Sequence, residues 1–357
     1  MIRSISRPVT RLSGALGAAA LVIALSAAPA FACGGLIGPN GAVNLLQTTT
    51  LAGYHDGEEH YITAFRFAGG GGAFGSLTPL PGVPSSVEKG GDWTLQRLVR
   101  ETDPQPAALR VLAAADAAGG PAEELMKVRI DALDITVLRG GPAAVGQWAT
   151  DHGFRLPPDA PEVLDFYAAR SPIFLAAVFD ADAATQRGQA VGDGTPVHIT
   201  IPTDNPWVPL RILALGKTAT ERVDAAVYLL TDQRPALLPA PIEANGLGLQ
   251  HSAPASTSLL DDLRSDRGMA WVPAKGWLTK VTIDSAAADL SFDLAIDASG
   301  AGVPSRVMAG LDLPGATVVA QDRSADIVRL LVGIALTIGG LGAIVLMSRR
   351  RPPLSMA

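Results

Sequence analysis

The chain has one cysteine, Cys33, in 357 residues, so no internal disulfide can form and the core alone must hold the fold. Charge is scarce as well: Asp, Glu, Lys and Arg make up 17% of the residues, and no basic run is interleaved with aromatics. A hydrophobic share of 48% excludes a disordered chain and leaves enough apolar material for a sizeable core. Glycine and proline are plentiful (38 and 27) but follow no three-residue period, which excludes collagen. No longer repeat indicates a solenoid or a propeller. The usual short catalytic signatures are missing too. The glycine run at residues 69–72 is not followed by Lys and Ser or Thr, so it is no phosphate loop. Ser76 lies in GAFGSLT, which lacks the G-x-S-x-G pattern of a nucleophile elbow and reads as a strand or turn residue. Asp261, Asp262 and Asp266, and Asp289 with Asp293, do not have the spacing of a calcium loop. No cofactor is predicted.

What is present sits first at the two ends. Arg3, Arg7 and Arg11 precede an apolar run over residues 15–28 and then Ala30-Phe31-Ala32, so residues 1–32 read as a signal peptide cut after Ala32. Cys33 would then be the first mature residue and a candidate for lipidation, although Ala30 stands where a lipobox has Leu. Residues 330–347 carry no charge and are followed by Arg349, Arg350 and Arg351. The expectation is a transmembrane helix over residues 327–348, long enough for a hydrocarbon core of about 30 Å, with the arginine tail at 349–357 inside and the body outside. Ala335, Gly339 and Ala343 recur every four residues and are a candidate homodimer stripe. With the three arginines of each end set aside, 22 basic residues face 34 acidic ones, a net charge of −12 on the exported body. That field repels nucleic acid and favours cations or basic partners.

Between the ends the pattern predicts a strand-dominated α+β body with several short helices. Residues 43–67 read as a hairpin around Asp56-Gly57, with Tyr54 facing Glu59 and His55 facing Glu58. Tyr61, Thr63, Phe65 and Phe67 fall on a core face, and His55, Glu58 and His60 on the other. Helices are expected at residues 92–100, 141–152 (stopped by Gly153), 161–169 and 258–267, and residues 107–118 read as a further helix or a mobile segment. Strands are expected at 73–79, 131–138, 173–180, 197–202, 208–215, 223–231, 277–283 and 290–296. Residues 235–258 read as a linker or long loop. The domain plan is therefore a main domain over 33–240, a smaller part over 241–300 that either belongs to it or folds separately, and a stalk over 301–326.

Candidate chemistry is thin. His55, Glu58 and His60 share one face of the hairpin and are a candidate zinc set, because zinc takes three or four nitrogen and oxygen ligands. Trp207, between Pro206 and Pro209, is a candidate exposed platform for a peptide or glycan. Asp151-His152 closes a helix, where an imidazole near the last carbonyls is explained by the helix dipole. His198 and His251 have no spaced partner.

Several segments in order resemble the bacterial domain of unknown function 2330: the start CGG at residues 33–35, HYITAFRF, PLPGVP at 79–84, and QWATDHGFRLP at 147–157. The likeness continues through VLDFYAARSPIFLAAVF, HITIPTDNPWVPLRI, VYLLTD and GWLTKVTI at 276–283. The resemblance implies an exported or membrane-anchored protein and brings no activity or catalytic residue with it. The expectation is a membrane-anchored extracytoplasmic binding or envelope-assembly protein, its partner an envelope protein or glycan. The alternative is an extracytoplasmic hydrolase or metal-binding enzyme.

Overall fold

The computed structural model describes residues 35–39, 41–42, 48–64, 74–103, 124–186, 195–299 and 302–313. The chain divides into units Met1–Thr317 and Val318–Ala357, and the second lies wholly outside the described residues. So do the signal peptide, Cys33, residues 107–118 and the transmembrane segment with its Ala335, Gly339 and Ala343 stripe. Among the described residues no helix is long and apolar enough to cross a membrane.

In chain order the first half runs β1 (Gly35–Gly38), β2 (Gly41–Ala42), β3 (Thr48–His55), β4 (Glu58–Ala64), β5 (Phe74–Leu80), β6 (Ser86–Lys89), α1 (Thr94–Thr102), β7 (Glu124–Ile130), β8 (Leu133–Arg139), α2 (Pro142–Asp151) and α3 (Ala160–Ala168). The second half runs β9 (Ile173–Phe179), α4 (Ala181–Gln186), β10 (Pro196–Pro202), β11 (Trp207–Val208), β12 (Arg222–Thr231), β13 (Ala236–Leu238), β14 (Leu247–Pro254), α5 (Thr257–Ser265), β15 (Trp277–Ala286) and β16 (Leu294–Asp297). A seven-stranded sheet has the order β14-β15-β12-β3-β4-β10-β6, a six-stranded sheet the order β2-β1-β5-β9-β8-β7, and a small sheet the order β11-β16-β13. Pairing is antiparallel except between β12 and β3. The body is a strand-rich α+β fold.

The β3–β4 hairpin turns as its sequence dictates. Asp56 (φ 50°) and Gly57 (φ 82°) both occupy the left-handed region that a two-residue type I′ turn requires, and Tyr54 pairs with Glu59 and His55 with Glu58. The solvated face expected for this hairpin is absent along β4. Because β4 is flanked by β3 and β10, and α1 and α5 cover one face of the sheet, His60 (6% exposed) is as buried as Tyr61 (1%). Leu95 and Leu98 of α1 and Leu259, Leu260 and Leu263 of α5 pack there with Leu51, Ile62, Tyr228 and Leu230. Burying each such leucine contributes about 1.5–3 kcal/mol, which is what fixes both helices on the sheet.

Several expectations need correction. Residues 131–132 are a turn, with Asp131 at φ 57°, that joins β7 to β8; β7 and β6 were not foreseen. The strand expected over 208–215 stops at Val208, because the backbone N–H groups of Leu210 and Arg211 donate to the Asp293 carboxylate and a 3-10 turn follows at Arg211–Ala214. The proposed linker at 235–258 contains β13 and β14. Through the pairing of β14 with β15, and of β15 with β12, residues 247–254 and 277–286 join the main sheet and form no separate body. Nor are residues 302–313 a free stalk: Ala309 is fully buried, its carbonyl accepts the Asp293 N–H, and Gly310 lies so close to Phe166 that a Cβ there would come within 2.2 Å of the ring.

α1 shows how distant residues complete one another. Its N-cap residue, Trp93, supplies no capping side chain. Asp266, far along the chain, accepts instead from Asp92 N–H, Trp93 N–H and the Thr94 hydroxyl. A carboxylate at the helix N-terminus satisfies otherwise orphaned donors and complements the dipole.

Candidate functional site

Four chain segments converge on an open cavity of about 390 Å³ at the tip of the β3–β4 hairpin. Tyr54 and Asp56 come from the hairpin, Asp204 from the turn after β10, Asp232 from the turn after β12, and Asp297 from the end of β16. Among the described residues, neither Lys nor Arg lines it. The turn residues put these carboxylates there for local reasons: Asp56 accepts a left-handed backbone, and Asp297 bonds the Ser299 N–H at 2.9 Å to close its own turn. Tyr54 donates to the Thr203 carbonyl at 2.9 Å, which ties the hairpin to the Asp204 turn. Its hydroxyl pKa is raised by burial and then by the charges of Asp204, Glu59 and Asp297. Such a cavity can bind a cation.

His55 belongs to the rim of this region. Its Nδ1 lies 2.8 Å from Asp232, and its Nε2 3.4 Å from Asp56. The candidate zinc set of His55, Glu58 and His60 is thereby undone. His55 is held by aspartates, whereas His60 is turned into the core and bonded to His198, and among the described residues no three His, Cys, Asp or Glu side chains group around a point that could hold a metal. The reason is the burial of the β4 face, which a two-strand reading could not anticipate.

Trp207 is also not an exposed platform. It is fully buried (0%), stacks on Tyr167 at 5.8 Å, and has the Arg170 guanidinium over its ring at 5.0 Å. Its backbone N–H donates to Glu59 Oε2 at 3.2 Å. Glu59 is fully buried, its Oε1 has no partner, and burial pushes its pKa up to about 8. The carboxyl is therefore neutral at pH 7.

The hydrolase candidates are likewise dispersed. Ser76 is a buried residue of β5 whose hydroxyl has no partner, and it bonds no histidine. His152 bonds the Trp148 carbonyl at 2.8 Å, as a helix-end imidazole should. His198, read from the sequence as lacking a partner, bonds His60 at 3.1 Å across the diagonal of β4 and β10. Burial lowers the pKa of His60 to about 3, helped by His198 and His55, and that of His198 to about 4.

Trp271 lies flat on His60, with ring centroids 4.0 Å apart and planes 3° from parallel. It fits there because Gly53, opposite His60, has no side chain: a Cβ would fall 2.0 Å from the indole. Gly53→Ala is therefore expected to cost about 1–3 kcal/mol, as overpacking does, and to shift the denaturation midpoint accordingly. A change below about 0.5 kcal/mol would show that the indole is not seated on Gly53.

Set beside known proteins, the sequence matches the family model described as uncharacterised protein conserved in bacteria (DUF2330) over residues 27–246. The chain belongs to this family. No curated protein matches it. Among solved structures, baculovirus P35 aligns over 72% of this chain and 97% of its own at 9% identity, with a TM-score of 0.38. A mutated baculovirus P35 after caspase cleavage aligns over 71% and 99% at 8% identity, with a TM-score of 0.41. Likeness at this level transfers nothing about activity. The family match spans β3, β4, β10 and β12, and so includes the Asp56, Asp204 and Asp232 walls of the cavity but not Asp297.

Proposed function

We propose that the protein is a membrane-anchored, extracytoplasmic binding or envelope-assembly protein whose cavity at the β3–β4 tip takes a cationic group of its partner, an amine or a guanidinium. The observation that carries this reading is the cavity itself, with Asp56, Asp204, Asp232 and Asp297 around it and, among the described residues, no Lys or Arg in the lining. The acidic charge of the exported body adds a long-range pull of the same sign. Binding is favoured over hydrolysis because His55, His60, His152 and His198 are committed to Asp232, to each other and to a carbonyl, and bond no serine. The signal peptide at residues 1–32 and the transmembrane helix at 327–348 supply the address in this reading.

The test has two arms. The full-length protein in detergent, titrated with spermidine and with a tetralysine peptide, is expected to bind weakly and in a salt-sensitive way. Asp204→Asn and Asp297→Asn are each expected to weaken binding about two- to fivefold, the range of an exposed ion pair. Binding that is unchanged in both variants would remove the cavity from the proposal. In the second arm, the chain is expected in the membrane fraction and a version ending at Gln321 in the soluble exported fraction. Cross-linked pull-down from membranes is expected to recover a basic envelope protein that Asp204→Asn loses. Equal fractionation of the two forms would sink the anchored reading.

A further inference from the structure

We propose that the segment joining α5 to β15, residues 266–276, is an acid-released latch, held shut by the neutral, mutually hydrogen-bonded pair His60 and His198 and opened locally when that pair takes up a proton. The pair lies under the segment. His60 and His198 are 6% and 5% exposed, and a single proton serves the 3.1 Å contact between His60 Nδ1 and His198 Nε2, so one ring donates and the other accepts, and burial keeps both uncharged.

The segment touches both rings. Trp271 covers His60, and the backbone at Gly268 passes His198 so closely that a Cβ there would lie 3.2 Å from Nδ1. Gly268 holds a left-handed φ of 72°, which suits this tight passage to glycine. Otherwise the latch is held by apolar packing of Met269 and Val272, by Arg264, which bonds the Pro273 carbonyl at 2.7 Å, and at its first residue by Asp266, whose carboxylate accepts from Asp92, Trp93 and Thr94. Among the described residues the buried indole nitrogen of Trp271 has no partner, so no polar bond there resists the ring's leaving.

Protonation upsets this arrangement because, while the latch is shut, burial opposes the charge more strongly than the attraction of Glu88 for His198 offsets it. Facing the pair from β3 is His55, a like charge once protonated, and from β4 Glu58, which is partly exposed. From β6 come Glu88, opposite His198 and exposed to solvent, and Lys89, whose amine pairs with Asp131 at 2.8 Å. From the latch come Arg267 and Asp266, whose carboxylate is committed to α1. On the covering helices Arg97 pairs with Glu101 and Asp262. Burial keeps both imidazoles neutral far below their ordinary range, whereas an opened latch hydrates them and lets them bind protons near pH 6.5. His198 takes the proton first, because Glu88 draws a charge to it whereas His198 and His55 oppose one on His60. Below pH 6.5 the open population should grow about tenfold per pH unit for each histidine that titrates only when open.

Hydrogen exchange of the full-length protein in detergent, corrected for the pH dependence of the intrinsic rate, tests this. Between pH 6.5 and pH 4.5 the opening equilibrium at residues 266–273 is expected to rise about 1,000-fold, roughly 50-fold for each histidine with a small offset from protonation of the shut state, while amides of β12 and β15 stay protected. His198→Gln and His60→Gln should each flatten that response. In case both variants fold poorly, the wild-type histidines are read directly by nuclear magnetic resonance. The pair must then stay neutral below pH 5 in the protected state. Exchange of β12 and β15 in step with the latch would mean ordinary acid unfolding and overturn the proposal. So would an undiminished response in both variants, or titration of both rings near pH 6.5.

Discussion

Asp293→Ala should cost about 3–5 kcal/mol, the range for breaking a buried ion pair, and that is a large part of the stability of an ordinary domain. The side chains of Asp293 and Arg170 are both 0% exposed and lie 2.6 Å apart. The other carboxylate oxygen of Asp293 accepts from the Tyr167 hydroxyl at 2.9 Å, from Leu210 N–H at 2.7 Å and from Arg211 N–H at 3.0 Å. Arg170 also donates to the carbonyls of Phe166 and Met308, with its guanidinium over the Phe166 ring at 4.0 Å. One residue thus joins α3, the 3-10 turn after β11, β16 and the 302–313 segment. Removing it strands a guanidinium and two backbone donors away from water, each a real desolvation cost. Chemical denaturation of Asp293→Ala, Arg170→Met and the double variant is the measurement. The double variant should lose much less than the sum of the singles, because once the acid is gone the arginine is itself a liability. Additive losses, or a loss below about 1 kcal/mol for Asp293→Ala, would show that the network does not hold these elements together.

None of that network is legible in the sequence, where Asp293 reads as one acid on a strand edge and Trp207 as an aromatic between prolines. Local chemistry was legible. Asp56-Gly57 specifies its turn through two positive φ values, and Gly141-Pro142 and Gly153 bracket α2 through proline's fixed φ and glycine's tolerance of the left-handed region. Register follows from such turns, so the Tyr54–Glu59 and His55–Glu58 pairs were readable as well. Burial from both sides was not readable, since it depends on α1 and α5 arriving from elsewhere in the chain. His60 and Glu59 are polar residues at neighbouring positions of a central strand, and polarity in a hairpin normally marks the wet face. The cavity was hidden for the same reason. Asp204, Asp232 and Asp297 each look like a turn former, and only the topology puts them beside Tyr54 and Asp56.

Glu59→Gln is expected to remove the alkaline fall in stability that the wild-type protein should show. An unfolded chain ionises Glu59 near pH 4.5, but the folded protein keeps its proton to about pH 8 because the carboxyl is fully buried and its one good contact is the Trp207 N–H. Between those values the folded state holds the extra proton, so stability falls as pH rises, by about 1.4 kcal/mol per unit, and the contribution is whole only below pH 4.5. By pH 7 the accumulated loss is about 3 kcal/mol. His60 and His198 pull the other way. Their folded pKa values of about 3 and about 4 lie below the unfolded value of 6.5, so in that interval the unfolded state binds more protons and stability rises with pH. Two histidines outweigh one glutamate below pH 6.5, and the glutamate acts alone above it, so these three groups place the stability maximum near pH 6.5. Glutamine reproduces the neutral carboxyl's shape and still accepts the Trp207 N–H. The variant should therefore keep the acid limb, lose the alkaline one, and exceed the wild type by about 3 kcal/mol or more at pH 8. Urea midpoints from pH 5 to pH 9 decide it: curves for wild type and Glu59→Gln that stay parallel above pH 6.5 would mean that Glu59 is ionised in the folded protein, and that the core beside Trp207 admits water or a counter-charge.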